Sequence, residues 1–240
     1  IALFPTYVDA SGLRVFARSG VTDVFLLNVA KTYLAMLGPG SKVSEASRQM
    51  FLSTCTSQHV FQMVGLLGPD NYPGTIDARP GGDYEDNATD YIWQLDSGGA
   101  DQLGEVVEHL LHTVTAVGLR LTFPEVWDYD NANSALSRAV KEAVDAGVFD
   151  ASSYDPLKGD PEGYRKVLAT EYAYWLILAE WNLFETTGKK DEGMTGNGEF
   201  SLGTPEEIAV TLPLGHQLYL EHVEKVLVAP AASELASLFP

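Results

Sequence analysis

The sequence predicts an α+β domain, with a small mixed sheet in its N-terminal half and a mostly helical C-terminal half. Before residue 100, short runs rich in β-branched and aromatic residues alternate with turn-forming residues. After residue 100, apolar residues recur at helical spacing over long stretches. No linker divides residues 1–240, so we expect a single domain with a strand-rich part at 1–100 and a helical part at 101–240.

Turn-forming residues set the bounds of the predicted elements in the first half. A strand is expected at 12–17, helices at 23–37 and 43–53, and strands at 59–66 and 91–95, with a turn-rich loop at 68–90. In the second half, helices are expected at 101–120, 133–146 and 161–185, from Thr204 onwards, and at 214–227. Between them, the stretch 186–203 carries five glycines and reads as a loop, with a hairpin at 199–202.

The composition is strongly acidic, with 33 Asp and Glu against 15 Lys and Arg, a net charge of −18. Such a surface repels nucleic acid and anionic membranes, so we expect neither as a partner. No apolar run reaches the roughly 18–20 residues that cross a bilayer. Cys55 is the only cysteine, which excludes an intrachain disulfide and a cysteine-rich zinc site.

The helix at 101–120 gathers two glutamates and two histidines on one face. At helical spacing, Glu105, Glu108, His109 and His112 fall within an arc of roughly 100°. Apolar residues occupy the opposite side and would pack on the core. Side chains three or four residues apart on a helix can share one ion, whose ligands must converge at about 2.0–2.2 Å. This face is therefore the best candidate for a metal-dependent site.

This arrangement resembles the zincin metallopeptidases, which carry His-Glu-x-x-His on such a helix and a substrate-binding edge strand before it. Here the corresponding residues are Glu108-His109-Leu110-Leu111-His112, so the first histidine and the glutamate are exchanged. In the gluzincin group, a glutamate from a later helix completes the site. Glu171 stands in an apolar run of a later predicted helix and matches that position. The resemblance covers about residues 12–185.

The resemblance implies a metal held by Glu108, His112 and Glu171, with His109 at the general-base position and also available as a ligand. His109 or Glu105 would carry the proton. Zinc is the first expectation because imidazole and carboxylate suit it, while Mn and Fe remain open. The implied function is metal-dependent hydrolysis of a peptide or protein substrate. We expect Glu171 to lie within about 5 Å of an imidazole nitrogen of His109 or His112.

Two other interpretations remain open. The exchanged motif fits a non-catalytic zincin-like protein that binds a metal or a partner. Alternatively, the four residues form a polar network without a metal, with Glu171 paired to Arg120 or Arg165.

Two expectations lie outside this face. The acidic loop 83–90 could hold an additional calcium ion, although it lacks the spacing of an EF-hand. The chain starts with Ile1 rather than Met, so either a leader was removed or the sequence is a trimmed piece. On the first alternative we expect an extracellular or periplasmic location.

Overall fold

A four-stranded mixed sheet forms the N-terminal half of the computed structural model, which describes residues 3–189 and 198–240. Its strands lie in chain order: β1 (Thr6–Ala10), β2 (Leu13–Ala17), β3 (Phe61–Leu66) and β4 (Tyr91–Gln94). β1 runs antiparallel to β2, whereas β2, β3 and β4 are parallel to one another. The mixed sheet and the helices that follow it confirm the predicted α+β class.

The strand β1 was not predicted, and a tight turn explains it. Ser11 and Gly12 both have positive φ, 43° and 89°, which closes a hairpin onto β2. Gly12 is also constrained by packing, since a Cβ there would lie 2.9 Å from the carbonyl oxygen of Leu52. His59, expected within a strand, instead has a φ of 52° and lies just before β3.

The predicted helices are present, with shifted ends. In chain order, the helices are α1 (Asp23–Met36), α2 (Glu45–Ser57), α3 (Gly99–His112), α4 (Arg120–Thr122), α5 (Pro124–Trp127), α6 (Ala135–Asp145), α7 (Pro161–Glu180), α8 (Pro205–Thr211), α9 (Pro213–Leu218) and α10 (Ala232–Leu238). Two of them, the short helices α5 and α10, were not predicted. Two 3₁₀ helices lie at Pro69–Asn71 and Ser152–Gly159. None of the helices in the described ranges has the length and apolar character needed to span a bilayer.

The helix predicted at 101–120 changes its winding after His112. It is α-helical to His112, π-helical over Thr113–Leu119 and α-helical again from Arg120. The hydroxyl of Thr115 donates a hydrogen bond to the carbonyl oxygen of Leu111, which competes with the α-helical ladder. The π segment carries no acidic or histidine side chain, so the ligand-bearing face of the helix ends at His112.

The two faces of the sheet pack differently. One face joins the main core, where it meets α1 and α3. The other face carries a smaller aromatic cluster, covered by side chains of the loop between β3 and β4: Phe16, Phe61, Met63 and Tyr91, with Ile76, Tyr84 and Ala88 packed against them. α3 also packs against α7, whose second half is almost fully buried. The candidate site lies where these two helices meet.

Three predicted details are wrong. α7 ends at Glu180 rather than near 185, because the chain turns at Asn182, which has a φ of 52°. The last long helix ends in a π turn at Tyr219–Val223. The hairpin expected at 199–202 is replaced by an isolated bridge in which Phe200 pairs with Phe149. Most of the loop expected at 186–203 lies outside the described residues, at 190–197.

Candidate metal centre

His112 is the central side chain of the site, and it is only 2% exposed. It lies on the last turn of α3, whose opposite side is held in the core by buried Leu103, Val107 and Leu111. Its Nδ1 lies 3.1 Å from Oδ2 of Asp90. The apolar side of α3 thus fixes the helix, and the helix turns His112 toward a carboxylate that precedes β4.

The second imidazole nitrogen of His112 faces Glu171. Nε2 lies 3.4 Å from Oε2 of Glu171, a residue of α7. The expected proximity of Glu171 to an imidazole is therefore confirmed. The angle between the two side chains lies outside hydrogen-bond geometry. Within the described residues, Nε2 is therefore buried and without a hydrogen-bond partner. In the neutral form of His112, a buried Nε2 without a hydrogen-bond partner is costly unless a cation engages its lone pair.

The arginines considered as partners of Glu171 bind elsewhere. Arg120 pairs with Asp128 and Asp130, and Arg165 also pairs with Asp130. The salt-bridge interpretation of Glu171 is therefore wrong for these two arginines.

The electrostatics of His112 follow from its two carboxylates. Burial disfavours the imidazolium, but the hydrogen bond to Asp90 and the negative charges of Asp90 and Glu171 outweigh burial and raise the pKa of His112 well above its usual value. Burial likewise pushes the pKa of Asp90 up, yet His112 and His109 hold it below the ordinary range. In the metal-free protein, the two carboxylates thus favour the protonated form of His112.

Two sets of three potential ligands converge, and both contain His112. Glu108, His112 and Glu171 offer atoms that lie within 4.8 Å of one another, and so do Asp90, His109 and His112. A neutral imidazole has one lone pair, so His112 can serve only one of these sets at a time. The structure therefore brings together Glu108, His112 and Glu171 as predicted, while it groups His109 with Asp90.

His109 is anchored through its other nitrogen. Nδ1 lies 2.8 Å from the backbone oxygen of Glu105 and donates to it, because a carbonyl oxygen only accepts. Nε2 lies 3.5 Å from Oδ2 of Asp90. In this arrangement Nε2 is the nitrogen of His109 that can take up a proton.

Glu105 and Gln102 bind the free edge of β4. Oε1 of Glu105 accepts the N–H of Trp93 at 2.9 Å, and burial raises the pKa of Glu105. The Gln102 amide accepts from the N–H of Leu95 and donates to the carbonyl oxygen of Trp93. The strand expected to form a substrate edge is thus occupied at these positions by side chains of α3.

Lys189 pairs with a candidate ligand and was not anticipated. Its Nζ lies 3.2 Å from Oε2 of Glu108. Gly104 makes the approach of this segment possible, because a Cβ there would lie 2.5 Å from the carbonyl oxygen of Thr187. The pairing offsets the charge of Glu108 in the absence of a metal.

Asp90 was placed by the sequence in an acidic loop and not in the site. A buried network fixes it: the Gln62 amide donates to the carbonyl oxygen of Asp90 at 2.8 Å and accepts from the hydroxyl of Thr113. In the part of the chain that the structure describes, Asp90 is the only residue of the loop 83–90 that joins a converging set of acidic and histidine ligands. The loop thus contributes to the helix site, and it forms no such set of its own for calcium.

A further carboxylate, that of Glu199, interacts electrostatically with Glu171. Oε2 of Glu199 accepts the indole N–H of Trp175 at 2.9 Å. Burial raises the pKa of Glu199, and the charge of Glu171 adds to this increase. The pKa of Tyr154 is raised by burial and by both carboxylates. Sequence patterns gave no signal for Tyr154 or Glu199.

A cavity of about 240 Å³ opens onto the site. Asp90 and Glu171 form part of its wall, and the remainder comes from the β3–β4 loop and the first half of α7: Arg79, Ala88, Thr89, Lys166, Val167 and Thr170. Solvent-sized ligands can thus reach the carboxylates on both sides of His112.

Family models, curated proteins and solved structures provide no match to this chain.

Proposed function

We propose that α3 and α7 hold one divalent transition-metal ion at Glu108, His112 and Glu171, and that the site hydrolyses peptide bonds. The observation that carries this proposal is Nε2 of His112, which is buried, lacks a hydrogen-bond partner among the described residues and faces Glu171 at 3.4 Å. A cation at this point would engage the orphaned nitrogen and two converging carboxylates at once.

Asp90 favours this set over the alternative that contains His109. A histidine that binds a metal usually donates its other N–H to a carboxylate, which fixes the tautomer and the ring orientation. Asp90 occupies that position at Nδ1 of His112. Nε2 is then the free lone pair, and it points toward Glu171 rather than toward His109.

The residue types fit zinc first, with manganese and iron as alternatives. When bound, such an ion polarises a carbonyl group and activates water. Among the protein groups, His109 carries the proton through Nε2, because its Nδ1 is engaged by the carbonyl oxygen of Glu105. The carboxylate of Glu105 is held by Trp93, so we assign it the role of orienting His109.

A second candidate function is metal or partner binding without turnover on a zincin-like scaffold. The exchange of Glu and His in the motif favours it, and so does the ion pair of Lys189 with Glu108, which a metal would have to compete with. The two functions share the metal site and differ in whether the peptide bond is cleaved.

Elemental analysis of the purified protein tests the metal site. We expect about one transition metal per chain, lost in His112→Ala and kept in His59→Asn. The control removes a histidine outside the site, and Asn tolerates the positive φ of residue 59. A metal-free native protein that also fails to take up added Zn²⁺ contradicts the proposal.

Cleavage of a broad peptide library separates the two functions. We expect activity in the native chain, its loss in His109→Ala with the metal retained, and stronger activity in the double variant Glu108→His/His109→Glu. Activity in the double variant alone would identify a binding protein. Native activity that survives His109→Ala removes His109 from the mechanism.

A further inference from the structure

The cavity beside the site combines two acidic and two basic side chains at different places. Asp90 and Glu171 face it on the side of His112, while Arg79 comes from the β3–β4 loop and Lys166 from α7. The other lining side chains are apolar or hydroxyl-bearing: Ala88, Thr89, Val167 and Thr170. The wall therefore carries negative charge next to His112 and also positive charge from Arg79 and Lys166.

The acidic groups of this cavity are already engaged. Asp90 binds His112 and lies near His109, and Glu171 lies against Nε2 of His112. The basic groups are not neutralised in the same way. Over residues 3–189 and 198–240, neither Arg79 nor Lys166 lies within 4.0 Å of an acidic side chain. Both cations line the same small cavity, so together they offer positive charge to an anionic group placed there.

The position of Arg79 is fixed by its own loop. One guanidinium nitrogen, Nη1, donates to the carbonyl oxygen of Asp77 at 2.8 Å. The remaining N–H groups of a guanidinium can bind the two oxygens of a carboxylate in parallel. Lys166 is exposed on α7, five residues before Glu171, and supplies a mobile second charge.

We infer that this cavity is a subsite for a carboxylate of the peptide substrate, held by Arg79 and Lys166 while the neighbouring peptide group faces the metal centre. The inference rests on the proposed hydrolytic function. The carboxylate is either an Asp or Glu side chain or the C-terminal group, since both present the same chemistry. A volume of about 240 Å³ accommodates one or two residues, less than the roughly 300–1,000 Å³ of larger ligand sites.

Four peptides of one backbone test this subsite. The first carries Glu and an amidated C-terminus, the second Gln and an amide, the third Gln and a free carboxylate, and the fourth Lys and an amide. Calorimetry on protein equilibrated with Zn²⁺ measures binding, whether or not the chain takes up the metal, and kcat/KM is measured for any peptide that is cleaved. We expect the first or the third peptide to exceed the second by about tenfold, which identifies the source of the carboxylate.

The variant Arg79→Gln/Lys166→Gln should abolish the preference for the carboxylate-bearing peptide, so that its ratio to the uncharged peptide falls to about one. Arg79→Lys should keep part of the preference. Lys31→Gln is the matched control, since it removes one positive charge from α1, which contributes no residue to the cavity. Thermal unfolding checks that each variant is folded. A preference that persists in the folded double variant overturns the subsite.

Zinc content, measured on the same samples, separates this inference from the proposed function. A zinc-loaded chain that binds all four peptides equally overturns the subsite and leaves the metal centre standing. A chain that selects the carboxylate peptides but takes up no zinc supports the subsite and contradicts the metal centre.

Discussion

The carboxylate of Asp90 lies 3.1 Å from Nδ1 of His112 and joins the residue before β4 to the last turn of α3. This contact determines which imidazole nitrogen is left to face Glu171. It also makes Asp90 the most direct test of the proposed coordination, because Asp90 acts through His112 and need not touch the metal.

Replacing Asp90 by Ala should weaken Zn²⁺ binding about 10- to 100-fold, the usual cost of losing the carboxylate behind a ligating histidine. Asp90→Asn should recover part of the affinity, because its amide oxygen still accepts from Nδ1. Competition with a chelating indicator measures both values. Equal affinity in Asp90→Ala and in the native chain would show that Asp90 does not orient a ligand.

Zinc affinity should rise with pH. The pKa of His112 is well above its usual value in the metal-free protein, so below that pKa the imidazolium must release a proton before Nε2 can bind a metal. We expect an increase of about tenfold per pH unit in this range. Calorimetry in buffers of different ionisation enthalpy counts the released proton, and a pH-independent affinity contradicts the assignment of Nε2.

The raised pKa of His112 also predicts how the stability of the metal-free protein depends on pH. The pKa of His112 is raised on folding, so its ion pairs stabilise the protein fully when the pH is below the pKa of this histidine in the unfolded chain. This stabilisation is lost as the pH rises through the pKa of His112 in the folded protein. Metal-free protein should therefore unfold more easily at alkaline pH, and His112→Ala should show a flatter profile. Denaturant unfolding at several pH values measures the difference.

Lys189→Met should strengthen zinc binding several-fold, because the ammonium group 3.2 Å from Glu108 competes with a metal for that carboxylate. Lys141→Met is the matched control, since Lys141 pairs with Asp145 in an exposed i,i+4 contact outside both ligand sets. Unchanged affinity in Lys189→Met, with the fold intact, would argue that Glu108 is not a ligand.

Cys55 should resist thiol reagents in the native protein. It is buried, and burial raises the pKa of its thiol to about 12, so the reactive thiolate is scarce near neutral pH. Labelling should therefore report unfolding of the main core, with rapid modification only in denaturant. Fast modification of the folded chain would show that the α2 region opens locally.

Periodicity predicted the helices that form the site because their apolar sides are continuous. The face of α3 followed from this pattern, whereas the proximity of Glu171 to His112 was expected from the resemblance to gluzincins and from the order of the helices. Periodicity did not reveal the π segment after His112, since seven buried apolar and threonine residues read equally well as α-helix. β1 was missed because its identity depends on the turn at Ser11 and Gly12 and not on its own short pattern.

The partners of the site come from loops, where patterns are weak. Lys189 follows the end of α7 and reaches Glu108 through a close approach at Gly104. The position of Asp90, by contrast, could have been predicted by comparing the length of the strand that follows it with the length of the next helix. The five residues predicted as a strand, 91–95, and the eleven residues 102–112 of the predicted helix are each about 17 Å long. A short turn between them therefore returns His109 and His112 to the start of the strand.

The side chains of Gln102 and Glu105 have a consequence for self-association. They occupy backbone groups on the outer edge of β4, where an added strand from another molecule would have to bind. β1, on the opposite side, pairs only with β2 within the described residues. Another strand would therefore add at β1, in a domain-swapped dimer or in a fibril. A proline at a position of β1 whose N–H faces outward would be the first substitution to make against aggregation.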